Sequence, residues 1–320
     1  MQATIDIIKK TFKSWRDEKV SRLAAALAYY TVFSIPPLLV VSIGIASIFT
    51  DRQVIEDQVI NQAGNLMGPQ GAEAIETILQ STEAPGGNEL LPTIIGIIFL
   101  LLGASAIFTQ LQDAMNTIWD VEADPDRGIL AAIKERFMSF TMVLAIGFIL
   151  LVSLLLSTVL TTLGTYIGNL VSETEIVLGL VNFIISYIIF TVLFGVMFKT
   201  IPDVRVAWRD VWIGAAITAA LFMIGEYALG IFLDRSDPTS AYGAAGSVIL
   251  ILLWVFFSAQ VLFLGAEFTQ VYATEYGSGM QPERGAVVMS EAEKIKQGIP
   301  PRDAVEQEKE VQKSSPTTRE

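Results

Sequence analysis

The side chains able to do chemistry in this chain are few, and most are carboxylates or amides set in apolar sequence. Glu226 is the one carboxylate well inside a long apolar run, about seven residues from the end of the stretch Val211 to Leu233. Removing a lone carboxylate from water is costly, so it must be protonated, paired or beside a wet cavity. That makes it a candidate for proton- or cation-coupled transport, with Tyr29, Tyr30 and Ser34 as expected polar contacts. Neighbouring Tyr227 supports the alternative of an acid close to the outer interface. Ser34-Ile35-Pro36-Pro37 lies in the middle of another apolar run. Its two prolines delete two backbone donors and strip the carbonyls of Val32 and Phe33 of helical partners, which predicts a bend of more than about 20°. Broken helices at mid-membrane form ion or substrate sites; plain packing kinks are the commoner use. Gln112, Asp113 and Asn116, closed by Trp119, form a polar helix end that either lines a vestibule or simply meets water. Glu267, in Gly265-Ala266-Glu267, is read as a structural ion pair with a basic residue of the N-terminal arm.

What is missing bounds the chemistry further. The chain has no His and no Cys, which removes the usual general base, the imidazole and thiolate metal ligands and any disulfide framework. The acidic stretch Asp120, Glu122, Asp124, Asp126 fails the calcium-loop pattern, with Pro125 at the sixth position and Ala131 at the twelfth, and is read as a solvated loop. No phosphate-binding Gly-Lys motif, nucleophile elbow or metalloprotease signature is present. No catalytic residue, cofactor or metal is therefore assigned.

The elements that must position these groups are membrane helices. The runs Leu23 to Thr50, Leu90 to Gln112, Phe137 to Ser172, Ile176 to Phe198, Val211 to Leu233 and Pro238 to Ala266 are each at least 23 residues long, and Glu226 is the only charge within them. About 20 apolar residues cross a hydrocarbon core. The fold expected is an all-α integral membrane protein of six transmembrane helices, over about 24–49, 90–112, 137–163, 176–198, 211–233 and 245–268, within a membrane domain of 23–276. Of the 21 Lys and Arg residues, 19 fall on the side of the termini and only Arg52 and Arg235 on the other. Cytoplasmic loops retain Lys and Arg, so both termini are expected inside. The net charge of −12 does not oppose this, because the rule largely ignores Asp and Glu. The first run lacks the short apolar core and cleavage site of a removable signal and is read as a retained helix.

Outside the spans, Ile5, Ile8, Phe12 and Trp15 recur at helical spacing among Lys9, Lys10, Lys13 and Arg16. That pattern predicts an amphipathic helix within 1–22, at the cytoplasmic interface or packed on the bundle ends. The first outer loop carries two apolar stretches split by Gly68-Pro69-Gln70-Gly71, which predicts two short helices capping the outer face. From 277 to 320 the apolar period fades and a disordered cytoplasmic tail is expected. Small residues at Gly214, Ala215, Thr218 and Ala219, and at Gly243, Gly246 and Ser247, suit close helix packing.

Ala24-Ala25-Ala26-Leu27-Ala28-Tyr29-Tyr30 running into Ser34-Ile35-Pro36-Pro37, Leu111-Gln112-Asp113-Ala114-Met115-Asn116 with Trp119, Pro202 with Trp208 and Gly214-Ala215, and Tyr242-Gly243 followed by Leu253-Trp254 and Gly265-Ala266-Glu267 resemble the YihY/BrkB family over roughly residues 5–275. The resemblance implies a multi-pass protein of the bacterial inner membrane with six helices and a link to the cell envelope, and it brings no established catalytic residues. The family's older label of tRNA-processing ribonuclease finds no fitting residues in this chain, so ribonuclease activity is not expected. The leading expectation is a transporter or flippase-like protein for a lipid, an envelope component or an ion. The alternative is a non-transporting scaffold or envelope assembly factor. The partners expected are membrane lipids and a small-molecule, lipid or ion substrate, with no nucleic acid; nothing in the sequence fixes the substrate or the oligomeric state.

Overall fold

The computed structural model describes residues 2–47, 51–82, 103, 106–124, 174–236 and 246–299. In chain order the elements are α1 (Gln2–Asp17), α2 (Val20–Ala46), α3 (Arg52–Met67), α4 (Pro69–Thr82), α5 (106–118), β1 (Val121–Ala123), α6 (Thr174–Thr200), β2 (Val204–Arg205), α7 (Trp208–Ser236), α8 (Gly246–Glu275), β3 (Gln281–Pro282), β4 (Ala286–Val288) and α9 (Glu291–Lys296). Three stretches among the described residues are long and apolar enough to cross a membrane: Gly179–Thr200, Trp208–Leu233 and Gly246–Glu275. At 1.5 Å per residue, 20 residues already match a hydrocarbon core roughly 30 Å thick. The expected first span is helical as α2, whereas the expected span at 137–163 and most of that at 90–112 lie outside the described residues.

Helices α7 and α8 are locked by a reciprocal pair of small-residue contacts. A Cβ on Gly214 would lie 1.8 Å from Thr269 Oγ1, and one on Gly265 would lie 2.0 Å from Thr218 Oγ1. Each threonine hydroxyl is itself bonded down its own helix, Thr218 to the Gly214 carbonyl at 2.7 Å and Thr269 to the Gly265 carbonyl at 2.6 Å. Sequence spacing had singled out Gly214 and Thr218; their partners across the interface are Thr269 and Gly265. With the helices this close, Gly265→Val is expected to force them apart at a cost of about 1–3 kcal/mol, read as a fall in thermal midpoint in detergent, while Gly265→Ala should cost less. An unchanged midpoint for the valine variant would contradict the contact.

The two ends of the bundle are closed differently. At one end α3 and α4, joined through Gly68 at φ 78°, lay Met67, Ala74, Ile75 and Leu79 against Ile43, Leu233, Leu250 and Ile251. The indole of Trp254 donates to the Leu66 carbonyl at 3.2 Å. Two helices were expected in this loop, and two are present. The other end, here the basic end, is where α6 finishes, α7 begins and α8 finishes. There Val20, Ala114, Met115, Ile118, Trp119, Phe198, Val211, Phe263 and Ala266 form a fully buried core.

Two expectations need correction. Residues 277–299 are ordered: β3 pairs with β2 and β4 with β1, both antiparallel, and α9 follows. Short polar segments gain order by pairing with loops already fixed on the bundle, and Gly279 and Gly285, at φ 76° and 93°, supply the turns. Asp210 holds the start of this segment, accepting from the Ser278 backbone N–H at 2.9 Å and its hydroxyl at 2.7 Å; residues 300–320 lie outside the described set. The acidic stretch after Trp119 is not a solvated loop along its described part, because Val121 is fully buried in β1. Helix α2 runs from Val20 to Ala46 across Pro36 and Pro37. Ser34 bonds back to the Tyr30 carbonyl at 2.9 Å, and a Cβ on Gly103 would meet its hydroxyl at 2.7 Å. The Ser34 region is therefore a close packing point.

Candidate functional site

The charged groups converge at the basic end, beneath the turn between α1 and α2. Lys19 takes φ 55°, a left-handed conformation that lets the chain reverse after Asp17 and start α2 at the fully buried Val20. Glu18 lies in that turn, its N–H donating to the Ser14 carbonyl at 2.9 Å. It continues the face of α1 that carries the buried Ile7 and Thr11, so its side chain is delivered inward. There it meets Glu267 of α8, which is 0% exposed, close enough for the two carboxyl groups to act on each other electrostatically. Two carboxyl groups buried side by side disfavour being ionised together. Burial, followed by the charge of Glu267 and then the charge of Asp120, pushes the Glu18 carboxyl well above the usual carboxylate range; Lys294 opposes the shift. Glu18 Oε2 and both Glu267 oxygens are buried and have no hydrogen-bond partner among the described residues. Glu267 was expected to pair with a base of the N-terminal arm; its neighbour is instead an acid, because the arm's lysines and arginines occupy other faces of α1.

The surrounding wall is built by the C-terminal segment. Asp120, in a left-handed conformation at φ 54° after α5, is ion-paired to Lys294 of α9, with both side chains largely buried. Ser290 caps α9 by accepting from the Glu293 N–H at 3.2 Å. Arg22 of α2 donates to the Gln297 carbonyl, and Thr117 donates to the Gln297 side-chain oxygen at 3.1 Å. The acid pair is thus covered by a strap that the α1–α2 turn, α5 and α9 hold together.

The other sequence candidates separate from this site. Gln112 and Asn116 bind Asp203 in the α6–α7 connection: Asn116 Nδ2 donates to it at 2.8 Å, Gln112 Nε2 at 3.1 Å, and the Asp203 N–H returns a bond to Asn116 Oδ1 at 2.8 Å. They clamp a turn, and Asp113 beside them is exposed. Asp203→Ala is expected to cost about 1–3 kcal/mol by orphaning the Asn116 amide, with Asn116→Ala less than additive with it in a double-mutant cycle; full additivity of large effects would break the clamp reading. Glu226 is half-buried between the strongly exposed Ile224 and Tyr227, and makes no hydrogen bond or ion pair among the described residues. It does not join Tyr29, Tyr30 or Ser34: both tyrosines are exposed, with Tyr29 against Tyr30 and Phe33. The side chain of Pro37 lies outside the described set, and Pro36 is part-buried within α2. Sequence reasoning missed Glu18, Lys294 and Asp203. The one available signal was Glu18, four residues past Ser14 and seven past Thr11 on a face that was otherwise uncharged.

Comparison with known proteins places this geometry in context. The family model described as virulence factor BrkB matches residues 11–287. A UPF0761 membrane protein of Pseudomonas aeruginosa PAO1 is 27% identical over 250 residues, covering 78% of this chain and 58% of its own length. A UPF0761 membrane protein of Alcanivorax borkumensis is 26% identical over 272 residues, covering 83% of this chain and 61% of its own. The chain spans about three-fifths of the length of the curated relatives it matches. No solved structure matches.

Proposed function

From the premise that the chain belongs to the virulence factor BrkB family and is a membrane protein, we propose that it is a proton-coupled transporter in which the Glu18–Glu267 pair carries the coupling proton. Its cargo is a lipid, an envelope component or an ion. The proposed setting is the bacterial inner membrane, with six spans and both termini cytoplasmic. In support, α1, Lys199, Arg209 and the segment 277–299 share one end of the helices, and α3–α4, with Arg52, cap the other. The cation asymmetry then makes the basic end cytoplasmic.

The observation that carries the proposal is a fully buried carboxylate on a span whose neighbour is a second carboxyl group. A purely structural contact there would be better served by apolar residues of the same volume. Buried acids in spans mark ion and proton paths far more often than packing. The test uses purified protein in phosphatidylethanolamine–phosphatidylglycerol vesicles with a trapped pH-sensitive dye and headgroup-labelled phosphatidylglycerol. The wild type is expected to move protons under an imposed potential, or to translocate the labelled lipid with a dependence on the pH gradient. Glu267→Gln and Glu18→Gln should lower that flux at least about tenfold, a loss of about 1.4 kcal/mol in the coupled step, with helix content unchanged by circular dichroism. Glu226→Gln should leave the flux within about twofold, under 0.5 kcal/mol on the same scale. Wild-type flux equal to that of empty vesicles would overturn transport and leave the scaffold or assembly role.

A further inference from the structure

Helix α1 carries an apolar face that nothing among the described residues covers. Ile7 and Thr11 turn toward the bundle, whereas Ile5, Ile8 and Phe12 are 45%, 48% and 56% exposed. These three form one stripe at i, i+3 and i+7. The next face round the helix holds Lys9, Lys13 and Arg16, all exposed and without an ion pair among the described residues. The helix is not free to roll, because Lys10 is ion-paired to Glu275 at the end of α8 and the buried Ile7 and Thr11 face the bundle. The stripe therefore has a fixed direction. A second feature lies at the same end: Trp208 and Trp212, stacked at 5.8 Å and 47% and 40% exposed, with Lys199 Nζ 5.9 Å from the Trp208 ring centroid. Tryptophan with a neighbouring lysine is the side-chain composition of a membrane–water boundary.

We propose that α1 is a docking surface for anionic lipid of the adjoining leaflet, with Ile5, Ile8 and Phe12 among the upper acyl carbons and Lys9, Lys13 and Arg16 on headgroup phosphates. The proposal rests on α8 crossing the membrane, which puts α1 at headgroup depth, and not on transport. Charge complementarity selects the occupant: three unpaired cations beside an apolar stripe suit a negatively charged lipid surface. A protein partner would instead have to bury those cations or supply acids to meet them. Because Glu18 directly follows α1, the lipid that holds the helix also holds the acid pair in register.

The absence of cysteine from the chain permits a direct test. A single spin label at Phe12→Cys, with Asp6→Cys as the polar-face control, is placed in the full-length protein and reconstituted into phosphatidylcholine vesicles with or without phosphatidylglycerol. With the anionic lipid, the label at residue 12 should become severalfold more accessible to oxygen than to a water-soluble nickel chelate, and the label at residue 6 should not. Raising the salt, or combining Lys9→Gln, Lys13→Gln and Arg16→Gln, should abolish the difference. A label at residue 12 that stays accessible to the chelate overturns the proposal. So does one equally deep in phosphatidylcholine alone, or one shielded from both reagents, the last pointing to a protein partner. These readings stand whether or not Glu18→Gln alters flux, so failure here is distinguishable from failure of the transport reading.

Discussion

Replacing Lys294 by methionine is expected to destabilise the folded chain by about 3–5 kcal/mol, the cost of leaving a buried partner charge uncompensated. The Lys294 and Asp120 side chains are 10% and 14% exposed, so little water is available to take over. The Asp120 charge also faces Glu18 and Glu267, and losing the lysine leaves a region of acids alone. Urea unfolding in detergent, followed by circular dichroism, measures the effect. Asp120→Asn combined with Lys294→Met should recover much of the loss, since the uncompensated charge is then gone. A single variant within 1 kcal/mol of the wild type, on the scale of an exposed pair, would show that the strap is not anchored through this contact.

Glu18→Gln is expected to reverse sign with pH. Burial and Glu267 raise the Glu18 carboxyl well above its ordinary range, so the folded state binds its proton more tightly than the unfolded state does. The stabilisation from that proton is complete below the unfolded value, about 4.3, and is lost as pH rises through the folded value. Over that window the wild type should lose stability with increasing pH. The glutamine variant stays neutral beside Glu267 at every pH, so its thermal midpoint should be flatter and should exceed that of the wild type at alkaline pH. Parallel midpoint curves for the two proteins would show that Glu18 is not protonated in the folded chain.

The apolar runs pointed to α2, α6, α7 and α8, because crossing a hydrocarbon core demands length, which any sequence displays. They also pointed to α3 and α4, whose Gly68-Pro69 break is a local signal. The order of residues 277–299 was illegible, since β3, β4 and α9 are stabilised by partners at Val204, Val121 and Asp120, more than 70 residues away in sequence. Glu226 attracted attention because it stands alone in an apolar run, yet one-dimensional depth says nothing about which side of the helix a residue occupies. Glu267 was singled out for its position and then given the wrong partner. Counting charges suggests that an acid near a basic arm pairs with a base; the left-handed turn at Lys19, which turns Glu18 inward instead, has no sequence signature stronger than a residue type.

Infrared spectroscopy of the reconstituted protein at neutral pH tests the buried proton most directly. The account predicts a protonated carboxyl C=O stretch that shifts on deuteration, disappears on alkaline titration and is weakened or shifted in Glu18→Gln but retained in Glu226→Gln. Identical carboxyl spectra for wild type and Glu18→Gln at neutral pH would contradict it.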